Sequence, residues 1–431
     1  MAVINAFAQD VVDLAEPLTL DAAYVRSCRA ALADSQIGTV GLEIETHLVD
    51  LDSVAEAVPW QRAKAITELV AAVTPASSVT LEPGGQVELS GRPQPDIAAA
   101  VAEMRHDWVG TRLALAERNL GVAYAGADPL RPSRRVNPRP RYRAMEQNFA
   151  ATGRSVPGSV MMNSTAALQV NLQAGPEGGW PERVARAYRL GPTLVAISAS
   201  SSWLHGRPTG WKSARQQTWG LLDPRSCGPV PGSVAATAAD DGRMNPVAAW
   251  ANYALRAPVV LVRTSDDEVE AVRTPVSFGL WARGSVRLGG RAPTAADLDT
   301  HLTTLFPPVR LRGYLELRYL DASPPRWWPA IAAVLTTLMD DPVAADLATE
   351  ATERTATRWT EAARAGLGDE MLAASARRCL AIAADRAPAE LSSAVADLAE
   401  LVESGRCPGD LLAERIEKIG PLAALEELAH A

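Results

Sequence analysis

The sequence predicts an α+β fold that contains a largely antiparallel sheet and ends in a helical C-terminal part. Apolar residues recur at intervals of three and four in several long segments, which is typical of amphipathic helices. In shorter segments they alternate with polar residues, which is typical of strands exposed on one side. The connections between these strands are long, and they do not form a regular βαβ succession with a glycine-rich nucleotide loop. This pattern favours an antiparallel sheet.

The individual elements follow from these two periods. The predicted helices lie at residues 21–33, 60–73, 95–119, 181–199, 294–305 and over most of 325–431. The predicted strands lie at residues 39–49, 79–90, 165–173, 258–263 and 312–320. No internal repeat or linker divides the chain, so we predict a single domain over residues 1–431, of which 325–431 is mainly helical.

Three irregular stretches separate these elements. Residues 223–243 and 283–293 are rich in Gly and Pro and predict surface loops, and the first is long enough to act as a lid. The basic stretch RPSRRVNPRPRYR at 131–143 is interrupted by three prolines. It fits either a solvated loop that pairs with carboxylates or a segment near an anionic substrate.

The composition argues against several classes of function. The 431 residues carry a formal net charge of -8 without a sustained basic stripe, which argues against nucleic acid as a partner. The start MAVINAFAQD lacks a basic leader, and no run of about 18 apolar residues occurs, which argues against a membrane. Four scattered cysteines without CxxC spacing argue against a zinc knuckle or a disulfide framework. We therefore expect a cytoplasmic protein that acts on small molecules.

The first predicted strand concentrates acidic residues on one side. In the stretch GLEIETHLVDL at 41–51, Glu43, Glu45 and His47 project together because side chains alternate along a strand. The aliphatic residues between them project the other way. This strand is predicted to carry a hydrophobic core on one face and negative charge on the other.

Three further strands repeat this one-sided polarity. The stretches are TLEPGGQVELSG, STAALQVNLQAG and YLELRYLD. Their polar residues include Glu82, Glu88, Gln169, Asn171, Glu316 and Arg318. If the polar faces converge, the carboxylates repel one another unless cations compensate them. Magnesium, which is held by carboxylates together with substrate phosphates, is the natural compensation and points to phosphoryl transfer from a nucleotide.

The usual nucleotide motifs are absent from the sequence. It contains no GxxxxGK[ST] P-loop and no protein-kinase signature set, and it also lacks the HExxH and GxSxG motifs of hydrolases. Use of ATP would therefore depend on metal-bridged phosphates and on arginines.

Four stretches together resemble a known family. GLEIE, LEPGGQVELSG, GWKSARQQTWGLLD and YLELRYLD, in this order, look like glutamate-cysteine ligases of the plant and actinobacterial type, in the glutamine synthetase-like superfamily. The resemblance covers roughly residues 38–345. When the stretches ADPLRPSRRVNPRPRY, MEQNF and DLDTHLTTLFPPVR are added, the sequence most closely resembles the actinobacterial ligases that supply γ-glutamylcysteine to ergothioneine biosynthesis. The family fold implied is a curved antiparallel sheet that forms a bowl, with helices outside.

The resemblance also implies roles for individual residues. Two or three magnesium ions would be bound by the glutamates of the polar face, namely Glu43, Glu45, Glu82, Glu88 and Glu316. Substrates would be bound by Arg215, Gln169, Asn171 and Trp211, with Arg215 binding a substrate carboxylate. Trp211 fits a packing role as well as a substrate contact. Arg318 and Glu316 would be catalytic, although Arg318 also fits a structural ion pair. His47 would be structural.

The implied reaction is ATP-dependent ligation of glutamate to cysteine. A carboxylate does not react with an amine directly, so the γ-carboxylate of glutamate is first phosphorylated and the acyl phosphate is then attacked. Magnesium and a positioned arginine would offset charge on the transferring phosphoryl group. Two alternatives remain: a γ-glutamyl ligase that uses another amine acceptor, and a non-catalytic protein that binds metal or nucleotide. The sequence does not identify a general base.

Overall fold

The computed structural model describes residues 16–233, 245–264 and 268–430. Within these residues the strands are β1 (Val40–Asp50), β2 (Ser77–Leu81), β3 (Val87–Gly91), β4 (Leu120–Ala123), β5 (Ala167–Gln173), β6 (Trp203–Leu204), β7 (Arg207–Pro208), β8 (Leu261–Arg263), β9 (Val269–Ala271), β10 (Val309–Leu311) and β11 (Tyr314–Asp321).

The first eleven helices lie before or between these strands along the chain, singly or in groups of two or three. They are α1 (Leu20–Ala31), α2 (Trp60–Val73), α3 (Ile97–Ala116), α4 (Pro140–Ala151), α5 (Ser155–Ser164), α6 (Trp180–Ser198), α7 (Ala214–Gly220), α8 (Pro224–Cys227), α9 (Pro246–Arg256), α10 (Phe278–Ala282) and α11 (Ala295–Leu302). The C-terminal part then contains α12 (Trp328–Asp340), α13 (Pro342–Thr352), α14 (Trp359–Ala365), α15 (Glu370–Arg386), α16 (Ala389–Glu403), α17 (Pro408–Ile419) and α18 (Pro421–His430).

A seven-stranded sheet organises the molecule. Its strand order is β10-β11-β5-β1-β3-β2, with β4 also paired to β1, and every pairing is antiparallel. Glu43 of β1 lies opposite Gln169 of β5, and Glu45 lies opposite Glu88 of β3. Glu316 of β11 lies opposite Asn171. The four polar strand faces therefore converge on one face of the sheet.

The other face of the sheet forms the hydrophobic core. Leu42, Ile44, Leu89 and Val170 are buried there, where α3, α6 and α12 contact the sheet. Every residue of α12 from 328 to 339 is buried, as expected of a helix that is apolar on all sides. The core places rigid helices behind the strands whose opposite sides carry the polar residues.

The predicted elements agree with the structure where the periodicity is clear. The helix α2 has the predicted bounds, and the predicted strand at 79–90 is in fact β2 and β3 joined by a tight turn. Helices α4 and α5 were not predicted, because both sequences contain Pro, α5 also contains Gly, and neither has a strong amphipathic pattern. The α+β class and the helical C-terminal part are confirmed over the described residues.

Other predictions have a more limited outcome. The proposed lid at 223–243 begins with the short helix α8, and its residues 234–243 lie outside the described residues. The single domain over 1–431 stays a prediction. None of the helices in the described part of the chain is long and apolar enough to cross a membrane.

Candidate active site

Four half-buried glutamates form what we call the carboxylate face: Glu43, Glu45, Glu82 and Glu88. Glu43 accepts a hydrogen bond from the Asn171 amide at 2.7 Å. Glu45 accepts from the Gln169 amide at 3.0 Å and from a backbone N–H of β5 at 2.8 Å. These contacts fix two glutamates of β1 against the neighbouring strand.

The turn between β2 and β3 adds the other two carboxylates. Glu88 accepts from the hydroxyls of Ser90 at 2.8 Å and Thr80 at 3.1 Å. Glu82 begins the Pro-Gly-Gly turn, in which Gly85 has a φ of +87°. That conformation favours glycine and explains the glycine of the LEPGG sequence. The tight turn brings Glu82 back towards Glu88.

The four glutamates of the carboxylate face all have pKa values above their usual range, mainly because they are buried close to one another. Burial, together with Glu316 and Glu88, raises the pKa of Glu43 to about 7. Burial, together with Glu88 and Glu45, raises the pKa of Glu82 well above its usual value. Burial is also the main cause that raises the pKa of Glu45 and of Glu88. A bound cation would relieve this repulsion.

An arginine cluster lies beside the carboxylate face and consists of Arg310, Arg312 and Arg318 around Glu316. Both oxygens of Glu316 accept from Arg310, and one accepts from Arg312 at 3.2 Å. Arg318 donates to the other oxygen at 3.0 Å. Burial alone raises the pKa of Glu316, but the arginines outweigh it and hold that pKa well below its usual range. Glu316 is therefore a buried, ionised anchor for three guanidinium groups.

Arg318 connects this cluster to the carboxylate face. Its Nη1 donates to Oε1 of Gln169 at 2.6 Å as well as to Glu316. Gln169 in turn donates to Glu45, so one amide bridges the arginine and a carboxylate. The guanidinium carbon lies 5.9 Å from the ring centre of Phe306. Arg318 is thus held at the boundary between the acidic and basic parts of the site.

Arg215 lies behind Arg318 on the short helix α7. Its side chain is buried, and its Nη2 donates to the backbone oxygen of Arg318 at 2.7 Å. The nearest carboxylate, Asp321, is 3.8 Å from Nη1. Among the described residues, Nε and Nη1 have no hydrogen-bond partner, which is unusual for buried donors.

The comparisons with known proteins agree with this geometry. A model of glutamate-cysteine ligase family 2 (GCS2) matches residues 39–427. The chain belongs to this family. It is 50% identical over 399 residues to glutamate-cysteine ligase EgtA of Mycolicibacterium smegmatis, covering 93% of this chain and 92% of that protein. It is 29% identical over 350 residues to the chloroplastic glutamate-cysteine ligase of Solanum lycopersicum, covering 77% and 65% of the two chains.

A solved structure has a fold similar to that of this glutamate-cysteine ligase family member. It is the crystal structure of glutamate-cysteine ligase from Francisella tularensis in complex with AMP, which matches with a TM-score of 0.53 at 12% identity. The match covers 92% of this chain and 88% of that one. The resemblance to the family and the mixed helix and antiparallel sheet are therefore confirmed.

The donor set of the ligase suits magnesium, although the side chains are not arranged as a finished metal site. Carboxylate and amide oxygens on adjacent strands are hard donors of the kind that magnesium prefers. In the part of the chain that the structure describes, no three His, Cys, Asp or Glu side chains form a ready metal-binding group. Both oxygens of Glu316 are occupied by arginines. The five predicted metal ligands stay a prediction, and Glu316 has the least support among them.

Two predicted residues lie apart from these contacts. The described hydrogen bonds of Trp211 join its backbone to Thr209, and none links its indole to the carboxylate face. Its substrate contact stays a prediction. His47 is buried and hydrogen-bonded to the backbone oxygen of Ala125 at 3.1 Å. Burial lowers its pKa to about 4, which fits the structural role that was expected.

Sequence reasoning missed several residues near the site. Arg310 of β10 and Asp321 both lie in stretches that carry the resemblance to the family, but neither was assigned a role. In the basic stretch at 131–143, Arg135 pairs with Glu146 at 2.7 Å. Arg141 donates to Thr303 and helps to lower the pKa of Glu82 against the larger effect of burial. The stretch therefore contains one arginine in a structural ion pair, Arg135, and one that lies near the site, Arg141. The run of basic residues in the sequence does not distinguish these two roles.

Proposed function

We propose that this chain joins the γ-carboxylate of L-glutamate to the amine of L-cysteine and supplies γ-glutamylcysteine for ergothioneine biosynthesis. The observation that carries this proposal is the polar sheet face, where buried, clustered glutamates adjoin Arg318 and the buried guanidinium of Arg215. The reaction has two transfers. The γ-phosphoryl group of ATP passes to a carboxylate oxygen of glutamate with release of ADP. The cysteine amine then attacks the acyl carbon, phosphate leaves, and the amine loses a proton.

The carboxylate face would hold the magnesium ions. Glu43, Glu45, Glu82 and Glu88 supply carboxylate oxygen donors whose pKa values are raised mainly by burial and, in addition, by neighbouring glutamates. Magnesium bound there would offset the charge of the phosphoryl group during transfer. Gln169 and Asn171 hold the two β1 glutamates in place by hydrogen bonds. We assign both amides to the substrate-binding surface, next to the phosphates.

Arg318 is our candidate for the catalytic arginine. It lies between the carboxylate face and the arginine cluster, so it can donate to an oxygen of the phosphoryl group during transfer. Glu316 acts through Arg318, because it fixes the guanidinium without offering a free oxygen of its own. This arrangement keeps a positive charge in place before the substrate arrives, which lowers the cost of reorganisation during the reaction.

Arg215 is our candidate for recognition of the glutamate carboxylate. It is a rigid, permanently charged donor whose Nε and Nη1 lack acceptors. Its hydrogen bond to the Arg318 backbone keeps the two arginines at a fixed separation. Trp211, four residues earlier, is proposed to border the same substrate site.

Cysteine is assigned as the acceptor because the relatives at 50% and 29% identity are named glutamate-cysteine ligases. A cytoplasmic location is proposed because the reaction uses ATP and a free thiol. All four cysteines of the chain are themselves unpaired, as a reducing compartment would require.

The test is product identification by mass spectrometry. Purified protein is incubated with ATP, magnesium and glutamate, and with cysteine, serine, 2-aminobutyrate, glycine or ammonia in parallel. We expect γ-glutamylcysteine as the main product, formed in equal amounts with ADP. A different preferred amine would replace the acceptor assignment and keep the acyl phosphate chemistry. Absence of ADP formation with every amine would refute the proposed function.

A further inference from the structure

Asp321, the last residue of β11, is a buried carboxylate that no step of the proposed reaction uses. It is 1% exposed. Simple alternation would place it on the apolar side of the strand. However, the register shifts between Leu317 and Leu320, so Asp321 lies opposite Ala167 on the polar side. A Cβ at Gly126 would lie 2.6 Å from its carboxyl carbon, so the neighbouring chain can approach only as glycine.

Two serine hydroxyls connect Asp321 to the start of α7. Ser201 donates to Oδ2 at 2.6 Å and Ser213 donates to Oδ1 at 2.9 Å. The same hydroxyls accept from backbone N–H groups, Ser201 from Arg215 at 3.2 Å and Ser213 from Gln216 at 3.1 Å. A carboxylate can only accept, so both hydroxyls must point their protons at Asp321. The lone pairs of both hydroxyl oxygens can then accept hydrogen bonds from the backbone N–H groups in the first turn of α7.

Asp321 is also the counter-charge of Arg215. Its Oδ1 is 3.8 Å from Nη1, while Nη2 of the arginine is engaged by the Arg318 backbone. A buried guanidinium without a nearby negative charge would be strongly disfavoured. Asp321 therefore keeps Arg215 in the protein interior and sets the position of its helix, and it leaves Nε and Nη1 without acceptors.

We propose that Asp321, through Ser201 and Ser213, is a positioning residue that holds Arg215 for one carboxylate of the glutamate substrate. This inference rests on the proposed function and deepens it. It predicts that the affinity for glutamate depends on a residue that the substrate does not touch. The nucleotide, which would bind beside the carboxylate face, should be affected far less.

The isosteric variant Asp321→Asn tests this positioning role. Oδ2 accepts from the backbone N–H of Ser200 at 3.0 Å, and this donor cannot reverse its direction. The new amide nitrogen must therefore take the place of Oδ1, where it faces the Arg215 guanidinium as donor against donor. Shape and most of the packing are retained, while the counter-charge and one acceptor are lost.

We expect Asp321→Asn to raise KM for glutamate by roughly 10–100-fold, a scale taken from the loss seen when a partner that orients a metal ligand is removed. KM for ATP should change by less than threefold. Ser213→Ala should shift KM for glutamate in the same direction by a smaller factor. The control is Ser198→Ala, which truncates a nearby buried serine whose hydroxyl has no partner, and it should leave both KM values unchanged.

Two outcomes would overturn the inference. One is an unchanged KM for glutamate in Asp321→Asn, and the other is an equal rise of both KM values with a fall in kcat, as a general structural role would produce. A crystal structure of Asp321→Asn gives a readout that does not depend on turnover. Displacement of Arg215 from the Arg318 backbone oxygen supports the inference, and an undisturbed Arg215 refutes it. If the wild type makes no γ-glutamyl product, the proposed function and the glutamate part of the inference fail together, and the structural readout still decides whether Asp321 positions Arg215.

Discussion

Replacing two arginines of the same cluster, one at a time, should distinguish a residue that serves catalysis from one that serves stability. Arg318→Gln and Arg310→Gln each remove one guanidinium from Glu316, and the two variants differ in what remains. Without Arg318, Glu316 keeps Arg310 on both oxygens and Arg312 at 3.2 Å. Without Arg310, this fully buried carboxylate loses its bidentate partner, and the backbone oxygen of Leu305 loses a donor at 3.2 Å.

The contacts set the expected magnitudes. Breaking a buried ion pair by removing one partner costs about 3–5 kcal/mol, which we expect for Arg310→Gln. At an unfolding entropy of about 2.1 cal/mol/K per residue, this corresponds to a fall in Tm of roughly 3–5 °C for a chain of 431 residues. Arg318→Gln loses fewer contacts with Glu316, so its Tm should fall by about 2 °C or less. Its kcat should fall roughly 10²–10³-fold, the usual effect of removing a donor to a transition-state oxygen.

A coupled ADP-release assay and differential scanning fluorimetry on the same preparations measure both quantities. We expect Arg310→Gln to have the lower Tm and Arg318→Gln to have the lower kcat. If Arg318→Gln lost no more kcat than Arg310→Gln, Arg318 would be one member of a structural ion-pair network. The catalytic assignment would then be withdrawn.

Three further predictions concern the metal site, acid stability and the acceptor. Glu43→Gln should keep the fold, because the amide oxygen can still accept a hydrogen bond from Asn171, and it should abolish ADP release because a charged magnesium ligand is lost. Undiminished turnover of the wild type in excess EDTA would contradict the magnesium site. His301 is fully buried and burial lowers its pKa to about 4, so stability should be lost as pH falls below about 6.5, by about 2 kcal/mol between pH 7 and pH 5. Urea titrations should show this loss reduced in His301→Gln, and an equal loss in both proteins would refute it. In competition at equal concentrations, cysteine should outcompete 2-aminobutyrate by roughly 10 to 200-fold, measured from the product ratio, and a larger amine that outcompetes cysteine would exclude a small thiol site.

The strands of the candidate site could be predicted because burial on one side has a period of two. In β1, the alternation of Glu43 and Glu45 with Leu42 and Ile44 is enough to assign both faces. The pairing of β1 with β3 and β5 then brings the polar faces together, as expected. Where only one face of a strand is apolar, the sequence also determines which residues share the site.

Residues outside this periodicity could not be assigned. Asp321 lies on the polar face because of the register shift after Leu317, and nothing in the alternation of YLELRYLD announces a shift. Arg310 pairs with Glu316 across the β10–β11 hairpin, although the sequence suggested only that Arg318 shares its face. Both the position of Asp321 and the Arg310–Glu316 ion pair depend on how neighbouring strands pair. The alternation of residues within one strand does not reveal that pairing.

The charges of the polar face suggest why this fold suits a metal–nucleotide complex. On the carboxylate face four glutamates lie close together, and burial together with their mutual repulsion raises the pKa values of Glu43 and Glu82. The arginine cluster beside it sets three guanidinium groups against the single carboxylate of Glu316. A nucleotide triphosphate with a divalent cation carries both signs of charge in one ligand. Its cation would match the acidic part and its phosphates the basic part. One such ligand would bring a charge of opposite sign to each part, so its binding would stabilise the fold and organise the site together.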